Sequence, residues 1–389
     1  MEAYLNRLPE IVEALKAIRE TIITNIVLIG QTSSFTFKEK KRSLVFMERL
    51  VDAQVDEVTT DDYHNPIGVI RGTDDTKPPI FVVAHLDTFF CRDIVHNYVI
   101  GENTITGAGI LDNSLGVGVL ASLPEIFKRI GLRFHSDVVL AGVIQSIGKG
   151  NLRGIRHLLK AWESPIRGAV CLEGIELGRL NYYSDGMIRG EIECNIPRTR
   201  GLIHKFRPNA ILILYDVIHR MLKIRIPQRP RTRIVIGKIN GGVDYGNIAY
   251  DAKLGFEIRS DSDEMVRGLY GEIQDIVTDL GHENEVSLNL KTISNLNAAR
   301  LRFNHPLVKA TVKVMNSLGL SPVSEPSESS LSIFLARSIP AVTLGITHGF
   351  NYFMEDATME IEPMYTGIAQ VIGTLKAIDN GVCDENKLA

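Results

Sequence analysis

The fold is decided by a continuous apolar run that ends in two chemically active side chains, PIFVVAHLDT at residues 79–88. An apolar run without alternation indicates a strand buried on both faces, as in a parallel sheet covered by helices. Ligands of open α/β sheets bind beyond the carboxyl ends of such strands, where His85 and Asp87 lie. The imidazole can bind a metal while the carboxylate holds its other ring nitrogen, although a polar strand end without any ligand has the same pattern.

Two other segments place carboxylates at the same edge of the predicted sheet. GAGILDNSLG at residues 107–116 puts Asp112 in a glycine-rich turn before a predicted helix, where it is either a metal ligand or an ordinary helix cap. AVCLEG at residues 169–174 puts Glu173 at the end of another apolar strand. One histidine and two carboxylates suit Zn²⁺ or a related divalent ion, so these two acids and His85 are the candidate ligands.

The rest of the chain predicts an α/β domain that is interrupted by a second domain. Strands alternate with helices along residues 1–186 and again along residues 298–389, which is typical of a sheet with helices on both faces. Residues 187–297 follow the order β-α-β-β-α-β, which indicates a small inserted domain with one helical layer.

The composition excludes several classes of partner. The chain has 43 Lys and Arg residues against 46 Asp and Glu residues, a net charge of -3, which argues against nucleic acid as a partner. No continuous apolar run reaches the ~18 residues of a membrane helix, and residues 1–20 form an amphipathic pattern instead of a signal peptide. Four separated cysteines without a C-x-x-C pair indicate free thiols in a reducing compartment. We therefore expect a cytoplasmic protein.

In this order the motifs resemble the dizinc peptidase family of aminoacylases, carboxypeptidase G-type enzymes and tripeptidases. The resemblance covers residues 10–380 and includes His-x-Asp, Gly-x-x-Asp-Asn-x-x-Gly, the inserted domain and the phrase IFLARSIPAVTLG at residues 333–345. It implies a mixed-sheet zinc-peptidase domain with a ferredoxin-like inserted domain that acts as a lid and forms a homodimer. It also implies a metal-dependent hydrolase of amide bonds in small peptides or N-acyl amino acids.

The resemblance implies that Asp112 bridges two zinc ions and that His85 and Glu173 complete one half of the metal pair. The other half departs from the family. The adjacent glutamates that serve as general base and metal ligand correspond here to Gln145 and Ser146. An amide cannot accept a proton from water near pH 7, and a serine hydroxyl is a poor zinc ligand.

Of three further family positions, one is altered and two match the family. Counting back from IEP at residues 361–363 places the last metal ligand, a histidine in the family, at Phe353. His348 is either a replacement ligand on a different loop path or a solvated loop histidine. Asn247 and Arg259 match the family's contacts to the substrate carboxylate, although a turn residue and a solvated arginine fit the same positions.

The oxyanion-stabilising histidine of the family's inserted domain falls near Thr199, with His204 close but poorly aligned. Possible replacements for the general base are Glu328, Glu355 and Asp356.

The sequence therefore predicts one bound divalent cation, zinc or a related metal, instead of two. Because the base and the second metal site are replaced, we expect hydrolysis to be weak or lost. Two classes of function stay open. The chain is either a hydrolase in which other residues replace the missing ones, or a non-catalytic relative that keeps the fold for ligand binding or regulation. A displaced acid in the space beside Ser146 would favour the hydrolase.

Overall fold

The computed structural model describes residues 2–90, 94, 96–197, 208–327 and 329–384. The α-helices of these residues are α1 (Glu2–Leu5), α2 (Leu8–Lys16), α3 (Arg19–Gly30), α4 (Lys40–Asp52), α5 (Leu115–Arg129), α6 (Arg153–Ala161), α7 (Ala210–Met221), α8 (Asp263–Glu283), α9 (Pro306–Ser317), α10 (Ser330–Ala336) and α11 (Glu362–Ala377).

The strands are β1 (Glu57–Thr60), β2 (Pro66–Ile70), β3 (Ile80–His85), β4 (Val99–Ile100), β5 (Thr104–Thr106), β6 (Val138–Val143), β7 (Gly168–Ile175), β8 (Leu180–Asn181), β9 (Tyr183–Ser184), β10 (Gly186–Asn195), β11 (Thr232–Gly241), β12 (Asp251–Ser260), β13 (Ser287–Leu296), β14 (Ala299–Arg300), β15 (Ala341–Thr347), β16 (Gly349–Phe350) and β17 (Thr358–Glu360).

The chain divides into two compact units, one of Met1–Tyr183 with Arg300–Ala389 and one of Ser184–Ala299. The second unit starts three residues earlier and ends two residues later than the predicted insertion. Polar contacts explain the wider bounds. Asp185 pairs with Arg231 at 3.0 Å within the second unit, and the backbone N of Ala298 donates to Asp263 at 2.7 Å.

A seven-stranded mixed sheet forms the centre of the first unit, in the order β1-β2-β6-β3-β7-β15-β8. The four strands β6, β3, β7 and β15 are parallel neighbours, whereas β1, β2 and β8 pair in antiparallel fashion. β3, β6 and β15 are buried along their whole length, as the continuous apolar sequence of β3 predicted. The carboxyl ends of the parallel strands therefore meet at one edge.

The segment that ends in α5 is a long, apolar helical part of the first unit. Residues Ile110–Arg129 have a mean hydropathy of 1.3, so this one helix among the described residues is long and apolar enough to cross a membrane. The sequence contains no continuous apolar run of this length, because charged residues interrupt it. The mean hydropathy stays high despite these charged residues. In the structure 89 % of this segment is buried inside the protein, as in the core helix of a globular domain.

The second unit has the predicted β-α-β-β-α-β order, and its four antiparallel strands lie in the order β11-β12-β10-β13. This is the strand order of a ferredoxin-like fold. Its core joins apolar residues of α7 and α8 to those of the sheet, including Leu214, Leu254 and Ile273. A role as a lid stays a prediction.

A buried carboxylate ties the C-terminal segment to the first unit. The fully buried Asp379 accepts hydrogen bonds from the backbone N of His135 at 2.8 Å and of Ser136 at 3.1 Å, and from Lys376 Nζ at 2.6 Å. Arg167 lies 3.8 Å away. Burial by itself raises the pKa of Asp379, but these donors outweigh burial and lower that pKa below its ordinary value.

We expect Asp379→Asn to lower the free energy of unfolding at pH 7 by about 3 kcal/mol, because it removes one partner from a buried group of charges. Since the folded pKa is depressed, the advantage of the wild type is complete above the ordinary aspartate pKa of about 3.9. It is lost as the pH falls through the folded value. Urea unfolding between pH 7 and pH 2 measures this, with Asp75→Asn on the surface as control. Equal stabilities at pH 7 would refute it.

Candidate metal centre

Three side chains at or near the carboxyl ends of buried strands meet in one crevice of the first unit. His85 ends β3, Glu173 lies in the last half of β7, and Asp112 lies in the π-helical turn Ile110–Ser114 before α5. Nε2 of His85 is 3.0 Å from Asp112 Oδ1 and 3.8 Å from Glu173 Oε2. Among the described residues, a search for three or more His, Cys, Asp or Glu side chains with ligand atoms within 4.8 Å of one another finds these three.

Asn113 fixes the turn that carries Asp112. Its fully buried side chain donates from Nδ2 to the backbone O of Leu172 at 2.8 Å and accepts from the backbone N of Gly116 at 3.2 Å. A Cβ at Gly116 would lie 2.2 Å from Asn113 Oδ1, so this position requires glycine. In the Asp-Asn pair one residue therefore faces the crevice while the other joins the turn to β7.

Asp87 positions both His85 and the segment after β6. His85 Nδ1 lies 2.9 Å from the backbone O of Asp87 and 3.7 Å from its carboxylate, so the main chain makes the closer contact that the sequence analysis assigned to the side chain. The buried carboxylate accepts instead from Thr36 Oγ1 at 2.9 Å, from the backbone N of Ser146 at 2.9 Å and from that of Ile147 at 2.8 Å.

The charges of this cluster suit a bound cation. Burial by itself lowers the pKa of His85, but Asp112 and Asp87 outweigh burial and hold that pKa well above its ordinary value. Burial raises the pKa of Glu173, and Asp112 adds to this effect against the opposite effect of His85. A divalent cation held by the imidazole and the two carboxylates would offset the repulsion between the carboxylates, so the residues fit one such ion.

Neutral side chains occupy the expected positions of the base and of one metal ligand. Gln145 has a left-handed backbone, with φ of 51°, and its Oε1 accepts from the Tyr63 hydroxyl at 2.8 Å. The backbone N of Gln145 donates to Glu39 at 3.0 Å. Ser146 contacts Asp87 through its backbone, and its Oγ is buried without a hydrogen-bond partner among the described residues.

Aromatic rings occupy the region of the last expected ligand. Phe353 is 66 % exposed and makes edge-to-face contacts with Tyr352 at 4.4 Å and with Phe89 at 5.8 Å between ring centroids. Burial, together with the nearby charges of Asp112 and Glu173, raises the pKa of the Tyr352 hydroxyl. Tyr352 is not among the residues that the sequence predicts for the site, since its one signal there is its place directly before Phe353.

The alternative ligand and bases that lie among the described residues do not join the cluster. Nδ1 of His348 lies 3.1 Å from Glu176 Oε1, and the His348 side chain is 42 % exposed. Glu355 and Asp356 are exposed and are not among the clustered ligands of the described residues. Glu328 lies outside the described residues.

In the second unit Arg259 lies on β12 and forms an ion pair with Glu257. Asn247 is exposed in the turn between β11 and β12. The structure therefore shows one of the two predicted substrate contacts already paired with a carboxylate. Thr199 and His204 lie outside the described residues.

Comparison with known proteins identifies the fold through solved structures. No protein-family model and no curated protein matches the chain. Dipeptidase Dug1p from Saccharomyces cerevisiae is 14% identical, covers 98% of this chain and 100% of its own, and has a TM-score of 0.76. Aminopeptidase PepT from Bacillus cereus is 15% identical over 92% and 98%, with a TM-score of 0.70. YxeP from Bacillus subtilis, described as a dinuclear metal-binding peptidase of the M20 family, is 14% identical over 93% and 98%, with a TM-score of 0.64.

The chain thus has the fold of these peptidases, as the sequence motifs implied. At identities this low the likeness shows the fold alone.

We expect Asp87→Asn to weaken Zn²⁺ binding about 10–100-fold, the usual effect of removing a group that orients a metal-binding histidine. In the wild type, two backbone N–H groups and one hydroxyl donate to the two carboxylate oxygens of Asp87. The amide of the variant has only one acceptor oxygen for these three donors. Isothermal titration with Zn²⁺ measures the change, and circular dichroism confirms folding. Asp75→Asn controls for the loss of one surface charge. An unchanged affinity would show that Asp87 does not position the histidine.

Proposed function

We propose that the chain is a divergent member of the dizinc peptidase family that binds one divalent cation through His85, Asp112 and Glu173. The first observation that supports this proposal is the peptidase fold, which is shared over nearly the whole chain. The second is the convergence of the three candidate ligands in one cluster. We take zinc as the ion, because one imidazole and two carboxylates suit it. When bound, the cation polarises an amide carbonyl or lowers the pKa of a water molecule to about 7.

We propose a small peptide or an N-acyl amino acid as the ligand of this site. Dipeptidase and tripeptidase relatives of the same fold act on short peptides by their names. In this chain the exposed rings of Phe89 and Phe353 border the cluster through Tyr352. They offer apolar area to a ligand side chain, so we place apolar or aromatic residues beside the amide bond.

We propose that hydrolysis is weak, because the residue at the base position is the amide Gln145. Its amide oxygen accepts a hydrogen bond from Tyr63, and an amide cannot take a proton from water. A missing general base costs about 10²–10⁴ in rate. Ser146 supplies no carboxylate for a second cation, and Phe353 supplies no nitrogen.

We expect wild-type protein to bind one Zn²⁺ per chain and to hydrolyse dipeptides and N-acetyl amino acids slowly, with activity abolished by Asp112→Asn. The double variant Gln145→Glu, Ser146→Glu gains little activity, because the last ligand position still holds Phe353. Adding Phe353→His raises the metal content to two ions and the rate by at least about 10²-fold, the lower range for a general base. Elemental analysis of protein purified without chelator gives the metal content.

Two outcomes would contradict this assignment. Two zinc ions in the wild type would show that another residue completes the second site. Strong activity in the double variant would show that the last ligand is not at Phe353. If the cation and the ligand bind but no member of the panel is cleaved even slowly, the chain is the non-catalytic relative.

We also propose that the chain forms a homodimer through its second unit. Its strand β11 lies at the edge of the four-stranded sheet, and Val235 and Ile239 on it are 42% and 52% exposed. Leu212 and Tyr215 of α7 are 61% and 59% exposed. An edge strand with unpaired backbone groups and apolar side chains is suited to pairing with a second copy.

The variant Val235→Lys, Ile239→Lys is expected to elute as a monomer where the wild type elutes as a dimer, because lysines on an edge strand oppose pairing. Size-exclusion chromatography with light scattering measures the mass. Leu28→Lys, which makes the same change at a partly exposed position of the first unit, is the control and stays dimeric. A monomeric wild type would rule out the dimer.

A further inference from the structure

A cavity lies in the first unit, beside the start of α4. Gln145 of the candidate site lines it, but none of the three candidate metal ligands does. Its volume is about 720 Å³, within the range of pockets that hold small organic ligands. Phe35, Leu44 and Met47 supply apolar walls. Leu44 is 50% exposed, so part of this apolar surface faces solvent.

The mouth of this cavity carries positive charge. Lys38, Lys40 and Lys41 all line it and are exposed. Lys40 is also the first residue of α4, where the helix dipole adds positive potential. Among the described lining residues the one acid is Glu39, which is buried and accepts from the backbone N of Phe37 at 2.9 Å.

The lining combines apolar side chains with three lysines and a single buried acid. Apolar walls and a cationic mouth together favour a ligand that is apolar along its length and anionic at one end.

We infer that this cavity binds a single-chain amphiphile that ends in a carboxylate, a ligand of the fatty-acid class. Its chain lies against Phe35, Leu44 and Met47, and its carboxylate lies at the lysines of the mouth. Burial of the chain supplies most of the affinity, since each methylene removed from water contributes. The lysines decide between an acid and a neutral molecule of the same length.

Titration calorimetry with decanoate, below its micellar concentration, tests this inference. We expect one decanoate per chain, with an affinity about 15-fold higher than that of octanoate, which is two methylenes shorter. We expect 1-decanol to bind about tenfold more weakly than decanoate, because it lacks the charge that the lysines attract. Acetate at the same concentrations does not bind.

The variant Lys40→Glu, Lys41→Glu weakens decanoate binding at least about tenfold, because it replaces two attractive charges by two repulsive ones. Acidic residues favour a helix N-terminus, so this variant is expected to fold. Lys309→Glu, Lys313→Glu makes the same charge change on exposed positions of α9 and leaves binding unchanged. Leu44→Ala, a good helix former, lowers the affinity through the apolar wall alone.

The site would be refuted by equal affinities for decanoate and 1-decanol, by equal losses in both charge variants, or by binding at micellar concentrations only. Asp112→Asn separates this inference from the proposed hydrolase. It removes the metal function but leaves decanoate binding unchanged, because Asp112 does not line the cavity.

Discussion

The hydrogen bonds of the Asp87 carboxylate hold the candidate centre together. They join the end of β3 to the backbone of Ser146 and Ile147, which follows the neighbouring parallel strand β6. The same residue contacts the His85 ring through its backbone oxygen. One fully buried acid thus contacts the candidate metal-binding histidine and fixes the path of the segment that holds the expected base position. Its partners in that segment are backbone amides, so the arrangement tolerates a change of side chain at Ser146.

The residues that position the candidate site differ from the residues at its expected base and ligand positions. Asp87 and Asn113 retain buried, satisfied hydrogen bonds. Gln145 and Ser146, at the expected positions of the base and of a metal ligand, carry no carboxylate, and their backbone nitrogens donate to buried acids. Glutamates at these two positions would add like charges whose burial is costly. Neutral side chains avoid this cost while the backbone contacts hold the segment in place.

Some parts of the structure were accessible from the sequence and others were not. The long buried strands and the β-α-β-β-α-β unit follow from apolar runs and periodicity, which report burial directly. The small sheet of β4, β5, β17 and β16 was missed, because strands of two or three residues carry no readable period. The short helix α10 was missed for the same reason.

The sequence by itself predicted that His85 and Glu173 lie together, because polar residues that end apolar strands lie at the carboxyl edge of a parallel sheet. The glycine-rich turn before a helix added Asp112 as the third candidate ligand. Only the tertiary structure decided that Gln145 bonds to Tyr63, 82 residues away in the chain. It also decided that His348 pairs with Glu176 outside the cluster and that Tyr352 lies near the carboxylates. These contacts join distant segments through loop paths, and no local pattern of residue types encodes the path of a loop.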